Sequence, residues 1–252
     1  MQQRGLAAYL AELIGTFLLV FFIASVVVLF VATGNQAQFG SDYAVVGLVQ
    51  GLALFGVIVM FGAVSGGHFN PAVTLAAAVI KRISPVDALI YMLAQLSGGV
   101  LGALLVKGLL VDEGRASHYG APEVTGLLGG NFQGAIIEAI GVFCLVLVIL
   151  AAVYSKKSLK DWAPLAIGTT FVFIVMVGGP LSGGSFNPAR WFGTALVGNE
   201  WGGVWPYVVG PIVGSLLAAG VFQFILEPGG KSPTEPPERV KAPGAPKPGS
   251  AA

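Results

Sequence analysis

Long uncharged stretches dominate the chain, separated by short polar connections. Six of them, approximately 10–32, 43–64, 88–106, 132–154, 163–179 and 204–226, are long enough to span a bilayer. Crossing about 30 Å of hydrocarbon takes roughly 20 helical residues. Two shorter apolar segments, 70–80 and 187–197, follow the second and fifth stretches. At about 1.5 Å per residue each makes a helix of about 16 Å, half a membrane. Surface amphipathic helices are the alternative, but neither segment has a polar face. The spacing therefore predicts an all-α membrane protein with six transmembrane helices and two re-entrant half-helices. From Glu227 onward the chain turns to Pro, Gly, Lys and Glu with almost no large apolar residue. That composition predicts a disordered tail over 227–252 after a membrane domain over 1–226.

Composition sharpens this picture. The 252 residues are 55% hydrophobic and 10% charged, whereas a soluble domain carries about a quarter charged residues. Mean hydropathy is +0.83, so there is too little polar surface to cover a globule in water. A net charge of +1 gives no electrostatic case for nucleic acid. The single cysteine, Cys144, excludes an internal disulfide and a multi-cysteine metal site, and reads as a small packed hydrophobe. Only two histidines occur, His68 and His118, and no nucleophile–base or metal-ligand cluster is recognisable. Neither an enzyme nor a cofactor is expected. The first apolar run is too long for the core of a signal peptide and reads as a membrane span.

Basic residues set the expected orientation. Arg4 precedes the first span, Lys81 and Arg82 fill the second connection, and Lys156, Lys157 and Lys160 fill the fourth. If the spans alternate, these lie on one side, which the positive-inside rule assigns to the cytoplasm together with both termini. The fourth connection can also be read as a lipid-binding or regulated loop.

The chain repeats itself. Ser65-Gly-Gly-His-Phe-Asn-Pro-Ala recurs 117 positions later as Ser182-Gly-Gly-Ser-Phe-Asn-Pro-Ala. Glu12-Leu-Ile-Gly15 is echoed by Glu138-Ala-Ile-Gly141, and Gly98-x-x-x-Gly102 by Gly210-x-x-x-Gly214. This order marks a duplication, with halves at about 6–110 and 131–226. Three spans per half is an odd number, so the second half is inverted relative to the first. The two half-helices then enter from opposite sides, amino ends meeting near the midplane. The Gly-x-x-x-Gly faces allow the surrounding helices to close around them.

Asn is a favoured N-cap and Pro is favoured at the first helical position, so Asn70-Pro71-Ala72 and Asn187-Pro188-Ala189 read as helix starts. With each Asn oxygen engaged on backbone N–H groups, its NH₂ is left to hold a water molecule. Two helix amino ends, each with roughly half a positive charge, oppose a crossing cation but not neutral water.

Paired Asn-Pro-Ala turns in inverted halves, with Arg190 three residues after the second Asn, resemble the major intrinsic protein family of aquaporins and glycerol facilitators. The resemblance covers about residues 6–226. An arginine in a membrane-inserted segment costs about 2.5–3.5 kcal/mol, which favours a polar cavity over lipid; an exposed loop is the other placement. The resemblance makes Arg190 the arginine of a selectivity filter. Glu12 and Glu138 are intramembrane acids, usable as proton relays in a transporter; the resemblance implies braces for the re-entrant loops. His68 reads either as lining the cytoplasmic vestibule or as merely packed.

The family's filter takes one residue from span two, one from span five and one before the second triplet. Counting back gives Gln50, Val175 and Gly184. Water-selective members typically carry Phe and His at the first two positions, and glycerol facilitators Trp and Gly with Phe third; neither set is present. A wider opening is expected, similar to that of vacuolar-type plant aquaporins. Trp191, Ala195 and Tyr207 lean back toward water channels, and Gly184 stands where some relatives carry a mercury-sensitive cysteine. The resemblance implies a passive homotetrameric channel in the plasma or inner membrane. It would pass water and additional neutral solutes such as ammonia, urea, glycerol or hydrogen peroxide, while excluding protons and ions. A glycerol or small-solute facilitator, an ion-coupled transporter using Glu12 and Glu138, and a structural junction protein are the alternatives.

Overall fold

The computed structural model describes residues 5–32, 42–155 and 160–227. Arg4, Lys156, Lys157 and the tail from 228 on lie outside the described residues, and with them much of the orientation and tail readings. Among the described residues, eight α-helices follow in order: α1 (Leu6–Val27), α2 (Asp42–Ser65), α3 (Pro71–Val79), α4 (Pro85–Leu109), α5 (Asn131–Ile149), α6 (Ala163–Ser182), α7 (Pro188–Gly198) and α8 (Val204–Val221). The helices α1, α5 and α8 continue through π-helical turns, Val28–Ala32, Leu150–Tyr154 and Phe222–Leu226. Among the described residues, six helices are long and apolar enough to cross a membrane, and α3 and α7 are the two half-length ones. The protein is an all-helical, multi-pass membrane protein.

Burial is inverted relative to a water-soluble protein. Glu12, Gln95 and Glu138 are fully buried, and Gln50 and Arg190 are 1% exposed. Leu52, Leu93, Ile140, Val177 and Leu217 stand 56–67% exposed on five different long helices. Lipid tolerates the outer leucines and valines, while the polar groups find partners or water inside.

Several spans are longer than their apolar runs, the first by starting at Leu6 rather than 10. The third starts at Pro85 rather than 88, because Ser84 caps it: its Oγ accepts from the Asp87 N–H (3.1 Å), with Pro at the first helical position. Asp87 is no break in the span, since Tyr9 Oη donates to its carboxylate (2.7 Å). The fifth runs to Ser182, three residues past the expected end, and stops where Gly183 turns left-handed at φ 72°.

The two halves interlock. The helix α1 packs on α4 and α5 on α8, while α7 of the second half packs on α4 and α3 of the first half on α8. The Gly-x-x-x-Gly pairs bring the surrounding helices together, α1 on α4 and α5 on α8. A Cβ on Gly98 would lie 2.3 Å from the Leu13 carbonyl oxygen of α1, and one on Gly214 2.2 Å from that of Ala139 in α5. Contact with a half-helix falls instead to Gly99, whose Cβ would lie 2.4 Å from the Ala189 carbonyl oxygen. The face that seats α7 is thus one residue removed from the face that seats α1, about 100° around the helix.

Candidate functional site

Each half-helix begins as its sequence dictates. Asn70 and Asn187 sit in extended backbone, and their Oδ1 atoms accept from Ala72 N–H (2.9 Å) and Ala189 N–H (3.0 Å). Those bonds fix which end of each amide is oxygen. The Nδ2 groups then point across the molecule. Asn70 Nδ2 donates to the Phe186 carbonyl (2.8 Å), and Asn187 Nδ2 donates to the Phe69 carbonyl (2.9 Å). One of the two N–H bonds of each amide is therefore committed to the opposite loop. Only the other is left for a permeating molecule, so the expectation of two wholly unengaged NH₂ groups is corrected. Opposed loops bring each carbonyl so near the other cap that the bond closes.

The loops before the caps are irregular backbone in the middle of the membrane, where an unpaired N–H costs several kcal/mol. Glu12 and Glu138 meet that need in the same way. Glu12 accepts from His68 N–H (2.9 Å), Phe69 N–H (2.6 Å) and Ser65 Oγ (2.6 Å). Glu138 accepts from Ser185 N–H (2.9 Å), Phe186 N–H (2.6 Å) and Ser182 Oγ (2.8 Å). The glycines three residues on complete the unit. Phe69 and Phe186 turn left-handed, at φ 47° and 49°, and lay their rings where a Cβ on Gly15 or Gly141 would stand, 2.2 Å from ring carbon. One turn of helix thus supplies an acceptor for the loop and a slot for its phenylalanine.

Two openings flank the crossing of the caps. An outer cavity of about 390 Å³ is lined among others by Tyr43, Val46, Glu123, Val175, Gly183 and Arg190. An inner pocket of about 10 Å³, room for about one water, is lined by His68, Asn70, Asn187, Leu54 and Phe171 among others. Steps of four residues carry the wall between them. On α2, Val46 faces the outer cavity and Leu54 the inner pocket, so Gln50 lies midway on that face. On α6, Val175 faces outward and Phe171, one turn before it, inward.

Polarity in that wall is unusual. Among the described residues, four buried side-chain polar atoms lack any hydrogen-bond partner, and three of them are Gln50 Oε1, Arg190 Nε and Arg190 Nη1; the fourth is Thr16 Oγ1. An orphaned buried polar group costs about 1–3 kcal/mol, more when charged. Gly184 behaves differently from its neighbours. The cavity wall takes Gly183 and Arg190 from this loop, and a Cβ on Gly184 would lie 3.1 Å from the Gly179 Cα. His68 combines both of its readings: it lines the inner pocket, and it is packed, with Nδ1 3.1 Å from Thr74 Oγ1 and its ring edge-on to Tyr91.

Several partners are not evident from the repeat alone. Gln95 Nε2 donates to Glu12 (2.7 Å) and to Thr74 (2.9 Å). Tyr91 Oη donates to the Ser65 carbonyl and Tyr207 Oη to the Ser182 carbonyl, both at 2.7 Å. Ser65 and Ser182 hold equivalent places in the duplicated segment, which is the signal that marks them. Gln95 and Tyr207 each stand three residues before the first glycine of a Gly-x-x-x-Gly, polar groups in apolar spans. Tyr207, Trp191 and Ala195 pack together, with the Trp191 and Tyr207 rings stacked at 6.2 Å.

Comparison with known proteins accords with this geometry. The family model described as major intrinsic protein matches residues 2–222. The chain belongs to that family. Relatives of this chain include the maize (Zea mays) aquaporin TIP4-4, 41% identical over 90% of this chain and 89% of that one. Maize aquaporin NIP1-1 is 37% identical over 86% of this chain and 73% of its own. The glycerol uptake facilitator protein-like 6 of Lactiplantibacillus plantarum is 37% identical over 84% and 94%. The aquaglyceroporin structure from Plasmodium falciparum superposes with a TM-score of 0.74 at 24% identity, covering 87% of this chain and 96% of that one, a likeness of fold. Major intrinsic proteins are passive channels, not enzymes. This one is a membrane channel for water or small solutes.

Proposed function

We propose that the channel conducts water first and small neutral solutes besides, rejecting protons and ions. The observation that carries this is the orphaned trio in the wall: Gln50 Oε1 as acceptor, Arg190 Nε and Nη1 as donors, all buried between two openings. Water is both donor and acceptor and satisfies such a set in passing. A cation meets the guanidinium and the amino ends of α3 and α7. Glu12 and Glu138 stay outside this path. Their oxygens are engaged by backbone N–H groups and by the Ser65 and Ser182 hydroxyls, which disfavours a proton relay.

In this reading Gln50, Val175, Gly184 and Arg190 form the filter, Gly184 with its backbone alone. The protein sits in the cell membrane with both termini in the cytoplasm, as a homotetramer with one pore per chain. Osmotic shrinkage of proteoliposomes tests the reading. Shrinkage much faster than that of empty vesicles, without a proton leak, is the expected result; shrinkage equal to that of empty vesicles overturns it. A second reading, a facilitator for urea, ammonia, glycerol or hydrogen peroxide, is favoured by the Gln50 acceptor and by the absence of an aromatic residue at that position. Isotonic solute uptake separates the two.

A further inference from the structure

Outside the pore wall, three metal-ligating side chains converge at the outer mouth. His118, Glu123 and Glu200 come from separate segments, and one ligand atom of each lies within 4.8 Å of the others. His118 Nε2 and Glu123 Oε1 are 3.9 Å apart. That is too long for a hydrogen bond, yet close to the span that two ligands of one ion take at bonds of about 2.0–2.2 Å.

Each segment is held from its backbone. His118 sits in a 3₁₀ turn, Arg115–Gly120, with φ 46°, and its carbonyl packs so tightly on α7 that a Cβ on Gly198 would lie 2.2 Å from the oxygen. The stretch carrying Glu123 is tied to the end of α6, where Thr125 donates to Leu181 and Pro180 carbonyls, both at 2.9 Å. Glu200 N–H bonds back to Ala195 (3.0 Å), and its Oε1 accepts from Gly202 N–H (2.9 Å), which orients the carboxylate. The side chains of His118 and Glu123 remain 43% and 59% exposed, so an ion has access and the small contraction needed is open to them. Glu123 also lines the outer cavity.

The geometry points to a divalent transition-metal site, formed by His118, Glu123 and Glu200, that obstructs the outer mouth when filled. One imidazole and two carboxylates suit Zn²⁺ and leave a fourth position for water; Mg²⁺, with its preference for six oxygens, fits poorly. The ion bridges the 3₁₀ turn, the 121–125 stretch and the α7–α8 connection, and fixes Glu123 where it lines the outer cavity. The obstruction, though not the binding, rests on the channel reading above.

Two measurements test this on full-length, tag-free protein. Calorimetry in detergent is expected to show one Zn²⁺ per chain and no Mg²⁺ binding at the same concentration. His118→Ala and Glu200→Gln are expected to weaken binding at least about tenfold, the loss that even an outer-shell partner's removal brings. In proteoliposomes, Zn²⁺ is expected to slow osmotic shrinkage of the native channel and to leave His118→Ala unaffected, with both shrinking equally in EDTA. Absent Zn²⁺ binding, or binding equal in native protein and both variants, overturns the site. Binding without slowed shrinkage overturns the obstruction. Vesicles that fail to shrink in EDTA count against the channel reading instead, and calorimetry still decides the site.

Discussion

Asn70 and Asn187 are each fastened to the residue that precedes the other. Asn70 Nδ2 donates to the Phe186 carbonyl and Asn187 Nδ2 to that of Phe69, at 2.8 and 2.9 Å. The caps that start the half-helices are thus also the rivets that join the halves.

Asn187→Asp separates those roles. The carboxylate still caps α7 but cannot donate, so it faces the Phe69 carbonyl as a second acceptor and adds a negative charge to the crossing. The expected outcome is a folded protein whose proteoliposomes leak cations, read as an ion current absent from the native channel.

Glu138→Ala leaves Ser185 and Phe186 N–H groups without an acceptor inside the membrane. Two orphaned donors at about 1–3 kcal/mol each predict a loss of about 2–6 kcal/mol. Thermal unfolding in detergent should show it as a large drop in Tm, and Glu138→Gln, which keeps one acceptor oxygen, should lose less.

Gly214→Ala and Gly108→Ala form a contrast. A Cβ at Gly214 meets the Ala139 carbonyl oxygen at 2.2 Å, while at Gly108 nothing lies within 4 Å. The first must separate α5 from α8 and should cost about 1–3 kcal/mol. The second should be neutral or stabilising by up to about 1 kcal/mol through helix propensity. Melting temperatures of the two variants check the sign.

Gln50→Leu removes the orphaned acceptor at nearly constant volume. If Oε1 serves permeating donors, urea and ammonia uptake should fall relative to water flux, measured in the same vesicles, while stability holds or rises. Gln50→Phe should narrow permeability toward water.

How much of this was legible follows from how locally each feature is determined. Spans, half-helices and caps depend on runs of apolar residues and on what Asn and Pro do to the next few backbone groups. Strings such as the apolar run 10–32 or Asn70-Pro71-Ala72 carry them, to within a few residues at the span ends. The duplication exposes Glu12 with Gly15 and Glu138 with Gly141 as paired elements, because the same loop had to be held twice.

What remained hidden depends on distances between segments far apart in the chain. That Gly99 rather than Gly98 seats α7, that the asparagine amides cross to opposite carbonyls, and that Gln95 reaches Glu12 are facts of approach angle and helix rotation. So is the meeting of His118, Glu123 and Glu200, three residues unremarkable in their own neighbourhoods. Local chemistry names the elements and their ends. Which face of each element meets which neighbour is set by the packing of all eight helices at once, and a rotation of a single residue step, about 100°, is enough to change the partner.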